Sequence, residues 1–353
     1  MAIFRAYNEG VFQITLQLDE VRVKDLLARF YLKNHSNNKE WIERVLWQAY
    51  KKVLHPSLQT ETFNAKKQEA DLQSIKIFAD NLEQLLMSPP LGKKRVLAID
   101  PGFRTGCKVV CLDEQGTPLT NTTIFPHPPQ NDKSAAQKKI SQLVEAYQVE
   151  VIAIGDGSAS RETDDLIKRM SFNRPLQSYL VSEDGASVYS ASKVGREEFP
   201  MFDVTVRGAI SIGRRLMDPM AELVKIDPKS LGVGQYQHDV PAQQLQEALE
   251  QVIQICVNRV GVELNAASEH LLSHVAGIGP VLAKNIVAYR SKNGFFKSRK
   301  ELLNVPRLGE KAFEQCAGFL RISDGEHPLD NSGIHPESYP LVASFAKKMG
   351  VAV

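Results

Sequence analysis

The run Val96-Leu-Ala-Ile-Asp100-Pro-Gly-Phe-Arg-Thr-Gly106 constrains this chain more than any other stretch. Four apolar, β-prone residues end in a carboxylate, and Pro101-Gly102 stops the strand directly behind it. Gly106–Asp113 reads as a second strand, and Glu114-Gln-Gly116 as the turn into a third. Helical and strand patterns then alternate: a helix over 133–147, a strand over 150–155, a helix opening at 156–162, a strand over 176–181 and a closing helix over 203–217. Three antiparallel strands followed by helix–strand alternation predict an α/β unit with a mixed sheet.

The flanks differ. Gly10–Leu18 alternates apolar and polar as a half-buried strand does, and 19–87 turns helical. Ser88-Pro-Pro-Leu-Gly92 ends that stretch. Beyond the sheet, 218–240 is a Pro- and Gly-rich connector, Ala242–Val260 is helical, and short helices broken by glycine turns follow. The organisation expected is a mainly helical segment with a short initial strand (1–92), the α/β domain (93–217), a connector and long helix (218–262), a domain of paired glycine hairpins (263–324) and a tail (325–353).

The hairpins carry a binding signal. Leu271-Leu-Ser-His-Val-Ala-Gly277-Ile-Gly279-Pro-Val-Leu-Ala-Lys284 resembles a helix-hairpin-helix motif, in which two glycines around an apolar residue turn tightly into a helix. Proline suits that helix start, because its missing N–H would be unpaired there anyway. The exposed amides of such a turn can hold a phosphate. Asn304-Val-Pro-Arg307-Leu-Gly309-Glu-Lys311-Ala312 repeats the plan, with Arg307 in place of the first glycine. Net charge is only +2, yet Gly277–Arg321 holds nine basic residues against three acids. That local excess predicts backbone contacts to DNA or RNA from Gly277, Ile278, Gly279, Lys284, Arg307, Gly309 and Lys311, with little sequence preference.

The strand ends carry a second, incomplete signal. Asp100, Asp156 and the pair Glu183 and Asp184 fall at the C-terminal ends of three strands, where ligand sites of α/β sheets assemble. A ribonuclease H-like nuclease clusters about four carboxylates around two divalent ions. Its last acid comes from the closing helix, and here Arg207 stands at about that place. A cation there opposes a metal and is expected to pair with Asp100. The reading is therefore a domain kept for binding or scaffolding, with no cofactor. A nuclease using Asp100, Asp156 and Glu183 or Asp184, with Mg or Mn, stays open as an alternative, as does a protein-interaction scaffold.

Further residues carry a family resemblance: Gly157-Ser-Ala-Ser-Arg-Glu-Thr163, Ser182-Glu-Asp-Gly-Ala-Ser-Val-Tyr-Ser190, Arg214-Arg-Leu-Met-Asp-Pro219 and the long run Val224–Val240. With the two motifs above, they make the chain similar to the bacterial Tex family of transcription accessory proteins over nearly its whole length. The resemblance implies a YqgF-type ribonuclease H-like domain, then a tandem helix-hairpin-helix domain. It implies nucleic-acid binding in transcription, with RNA polymerase or other transcription proteins as partners. It also implies a helical region before Met1 and an OB-fold RNA-binding module after Val353. No apolar run approaches the ~20 residues that span a bilayer, and four cysteines without a C-x-x-C pair suit reduced thiols, so a cytoplasmic location is expected.

Overall fold

A computed structural model describes residues 1–32 and 38–352. The part of the expected helical stretch at 33–37, and Val353 of the tail, lie outside the described residues. The chain divides into two compact units, Met1–Phe78 with Gly234–Leu245, and Ala79–Val233 with Gln246–Val353.

The first unit begins with α1 (Ala2–Asn8), α2 (Glu20–Tyr31) and α3 (Lys39–Ala49), and a π-helical turn at Tyr50–Leu54 leads into α4 (His55–Leu86). Asp19 starts α2 by accepting hydrogen bonds from the Val21 and Arg22 amides. The expected initial strand does not form. Residues 2–8 are helical, with Phe4 and Tyr7 both packed on Phe63. Residues 12–19 form neither helix nor strand. Their alternation is real, since Ile14 and Leu16 are half-buried, but the cover is α4. His55 Nε2 bonds the Leu16 carbonyl at 2.9 Å and Gln59 bonds that of Ile14 at 3.4 Å. An alternating pattern specifies one buried face and says nothing of what buries it.

The second unit holds the sheet: β1 (Val96–Asp100), β2 (Cys107–Leu112), β3 (Pro118–Ile124), β4 (Val151–Gly155) and β5 (Gln177–Val181). The spatial order is β3-β2-β1-β4-β5; the first three strands are antiparallel and β1, β4 and β5 parallel. Side chains alternate between two cores. Leu97, Ile99, Cys107, Cys111, Ile152 and Ile154 pack against α5 (Lys133–Ala146) and α6 (Ser160–Lys168). Val96, Ala98, Val110, Leu112, Val151 and Ala153 pack against the later helix over Val204–Met217. Burial on both faces is why β1 reads as an unbroken apolar run, and each such Leu or Ile contributes about 1.5–3 kcal/mol.

Two short helices the periodicity did not reveal, α7 (Ala186–Ala191) and α8 (Lys193–Glu198), precede α9 (Val204–Met217). Asp203 caps α9 through the Thr205 and Val206 amides. A Cβ added at Gly213 would lie 2.5 Å from Leu112 Cδ1 and 2.9 Å from Ala98 Cβ, so glycine is what lets α9 sit so close to β1 and β2.

After α10 (Pro219–Leu223), helix α11 (Ala242–Val260) spans the residues expected of it. A short parallel pair, β6 (Val262–Glu263) with β7 (Leu320–Arg321), joins the two ends of the hairpin module. Between them lie α12 (Glu269–Ser273), α13 (Pro280–Asn293) and α14 (Glu310–Cys316), and α15 (Tyr339–Met349) follows. Arg299, fully buried, fastens this last stretch to the module. Its guanidinium donates to the Ile334 and Ser332 carbonyls and to Tyr339 Oη, while its amide and Tyr339 Oη both donate to the Asp330 carboxylate.

Candidate nucleic-acid interface and the strand-end carboxylates

The two hairpins share one backbone. Gly277 and Arg307 are both left-handed, with φ of +79° and +67°. Gly279 and Gly309 follow at φ/ψ of −86°/176° and −88°/177°, each the N-cap of its helix. The Ile278 amide bonds the Val275 carbonyl at 2.9 Å, and the Leu308 amide bonds that of Val305 at 3.1 Å. Ile278 and Leu308 are buried and anchor the turns. A Cβ at Gly279 or Gly309 would meet nothing within 4 Å, so both turns leave the backbone open to close approach.

Each turn also rests on the other hairpin's helix. A Cβ at Gly277 would lie 2.6 Å from Gln315 Cβ on α14. Asn285 on α13 donates to the Pro306 carbonyl at 2.8 Å. Asn285 and Gln315 stand at equivalent places in the two copies. Neither was singled out from sequence, although the 30-residue offset between the repeats aligns them.

The charge of the module is smaller outside than its sequence suggests. Arg299 is buried; Arg290 is spent on the Leu264 and Ala267 carbonyls, and Arg321 on those of Gly318 and Leu320. Burial lowers the pKa of all three. Lys284, Arg307 and Lys311 are exposed, and their side chains make no ion pair or hydrogen bond among the described residues.

The strand ends are arranged differently from the expectation. Asp100 is largely buried, and its carboxyl is pushed up to about 6, first by burial and then by the charge of Glu183. Lys108 faces it across the β1–β2 ladder, but the Lys108 ammonium donates to the Thr105 carbonyl. Asp156 accepts the Glu183 amide at 3.0 Å. The Glu183 carboxylate lies against the Gly157 backbone, where an added Cβ would fall 1.7 Å from Oε1. Burial and Asp156 raise its pKa. Asp184 turns toward Gly232 instead, with Oδ2 2.2 Å from the Cβ position there.

Arg207 does not pair with Asp100. It is buried, and its guanidinium donates to the Phe199 and Ser190 carbonyls at 3.0 and 3.1 Å. The α9 residue that faces Asp100 is Gly208, whose Cβ position is 3.4 Å from Oδ2. Neighbouring helical residues point about 100° apart, so an offset of one in a motif alignment exchanges the partner. The charge of Lys108 acts on Asp100; the cation that acts on Asp156, Glu183 and Asp184 is Arg215, which the sequence did not single out. It is buried, donates to the Ser182 carbonyl at 2.7 Å and interacts electrostatically with Glu222, Asp184, Asp156 and Glu183. Among the described residues, no group of three or more His, Cys, Asp or Glu side chains is placed to hold a metal ion. Nor is any helix of the described residues long and apolar enough to cross a membrane.

Residues 94–217 match the Tex protein YqgF-like domain, 257–321 a helix-hairpin-helix motif and 327–353 an HHH domain. The chain is 45% identical to the transcriptional accessory protein Tex of Neisseria gonorrhoeae, over 99% of its own length and 47% of that protein. It is 46% identical to protein YhgF of Escherichia coli, over 97% of the chain and 46% of the relative. The human S1 RNA-binding domain-containing protein 1 is 34% identical over 99% of the chain and 41% of that protein. The chain thus spans about half the length of the curated relatives it matches. With a YqgF-like sheet followed by paired hairpins, and with this similarity running along all of it, the chain belongs to the Tex family.

Proposed function

We propose that this chain is a nucleic-acid-binding accessory factor of transcription that grips the DNA or RNA backbone with both hairpins and reads no sequence. The observation that carries this reading is one turn geometry repeated at a 30-residue interval, with Lys284, Arg307 and Lys311 exposed and unpaired around it. The turns of Gly277-Ile278-Gly279 and Arg307-Leu308-Gly309 supply open backbone, and the cations supply charge that phosphate contacts need. The name of the Neisseria relative supports the transcriptional setting, with RNA polymerase or another transcription protein as partner. The sheet domain organises its neighbours and performs no chemistry. In support, α9 offers Gly208 rather than an acid to Asp100, and the Asp184 carboxylate lies against Gly232.

Fluorescence anisotropy of the whole chain with labelled single- and double-stranded DNA and RNA, over a salt series, tests the binding. Affinity that falls steeply with salt, and is strongly weakened in Lys284→Ala/Arg307→Ala, is the expected result. No binding at low salt would overturn it. The same oligonucleotides incubated with Mg or Mn test the sheet domain. Cleavage that disappears in Asp100→Asn would replace the non-catalytic reading with the nuclease one.

A further inference from the structure

The two hairpins share their turn dihedrals and hydrogen bond but not their chemistry. At the left-handed position the first hairpin has glycine, and the packing requires it: Gln315 occupies the space a Cβ would take. The second hairpin has Arg307 at φ +67°, one of four non-glycine residues with positive φ among those described. A left-handed backbone is unfavourable for a residue with a Cβ, and glycine or asparagine would occupy it at lower energy. The turn's hydrogen bond and the buried Leu308 hold that backbone, but nothing the side chain of Arg307 touches accounts for arginine there. Its side chain is exposed and makes no hydrogen bond or ion pair among the described residues.

The charges around the two turns differ as well. After Gly279 come Pro280 and, five residues on, Lys284. After Gly309 comes Glu310 at once, then Lys311, and Glu314 stands where the first copy has Lys284. All three of these are exposed. Without Arg307 the second turn and its helix would present two acids against one base, a tip that repels phosphate. With Arg307 the balance is neutral, and the added cation is an exposed residue of the turn itself.

We infer that Arg307 is a phosphate ligand held in a strained left-handed conformation, and that the second hairpin depends on its side chain where the first relies on open backbone and Lys284. This rests on the nucleic-acid reading above and deepens it: the pair grips a polyanionic backbone unequally. Arg307 is the residue on which the second grip turns. A guanidinium suits the role because it offers a planar fork of donors to phosphate oxygens.

Arg307→Gly and Arg307→Asn test this, because both residues accept the left-handed backbone and neither brings the charge. The whole chain of each variant is melted and titrated with a fluorescein-labelled DNA duplex over a salt series. Both variants are expected to melt at higher temperature than the parent, glycine more so than asparagine. Both should bind the duplex several-fold more weakly, with a salt slope shallower by about one. Lys284→Ala should flatten the slope similarly without raising the melting temperature. A parent that binds while Arg307→Gly binds identically, slope included, overturns the inference and leaves the nucleic-acid reading standing. A melting temperature unchanged or lowered in both variants removes the strain argument. A parent that binds neither this duplex nor the single-stranded DNA and the RNAs of the first titration at low salt overturns the broader reading and this one with it.

Discussion

The strand-end carboxylates and the hairpin cations, both in the second unit, handle charge in opposite ways. At the sheet, Glu183 raises the pKa of Asp100 and Asp156 that of Glu183; Arg215 acts on Asp156 and Glu183, Lys108 acts on Asp100, and a glycine faces Asp100. At the hairpins, the cations that hold the fold have gone inside, and Lys284, Arg307 and Lys311 are left exposed and unpaired. Unpaired exposed charge is available to a ligand. Half-buried like charge that nearby cations do not fully offset is a cost to folding. The difference teaches that residues typical of a site do not by themselves make one; what faces them decides.

The largest expected effect breaks the inside of the hairpin module. Arg299→Met leaves Asp330 buried without its guanidinium and should cost about 3–5 kcal/mol. Urea unfolding measures it, and a loss below about 1 kcal/mol would mean that the module does not rest on this network.

Next comes Asp100, which sharpens the sheet side of the comparison. With its pKa raised to about 6, the folded state keeps a proton that the unfolded chain releases near pH 4. Its contribution to stability is therefore full below about pH 4 and lost as pH rises through about 6. Asp100→Asn should stabilise the protein at pH 8 by at most about 3 kcal/mol, less what solvent on its open side screens. At pH 3.5 the two proteins should unfold alike. Equal stability at both pH values would mean that Asp100 carries no penalty.

A smaller effect separates the two glycines of the first hairpin. Gly277→Ala adds a Cβ both at positive φ and 2.6 Å from Gln315 Cβ, and should cost about 1–3 kcal/mol. Gly279→Ala, at φ −86° and in open space, meets no clash and should cost only about 0.5 kcal/mol, because alanine is a poorer N-cap than glycine. Similar melting temperatures for the two variants would contradict the packed turn. The smallest effect on stability belongs to Lys284→Ala/Arg307→Ala, which should flatten the salt dependence of duplex binding by about two units of slope.

Much of the architecture could be read from residues alone. The strand after Arg95, the Pro-Gly stop, the helix over Ala242–Val260 and both hairpins lie where periodicity and turn chemistry place them. The initial alternation misled, because Ile14 and Leu16 lean on α4 and not on a neighbouring strand. Helices α7 and α8 escaped, since six residues each are too few to express a helical period. At the candidate sites the sequence supplied the right residue types but some wrong partners. Arg207 bonds carbonyls of the segment before it, and Gly208 takes the place opposite Asp100.

What the sequence determined is what neighbours along the chain impose: apolar period, proline and glycine stops, caps such as Asp203, and the repeated turn. Those follow from local sterics and hydrogen bonding within a few residues, so they are written locally. Only the tertiary structure decided which of nine basic residues in the hairpin module are free and which are buried. It alone turned Arg215, and not Arg207, toward the strand-end acids. Those choices depend on contacts across tens of residues, such as Arg215 with Ser182 and Arg299 with Tyr339, and on close packing that fixes where each side chain ends.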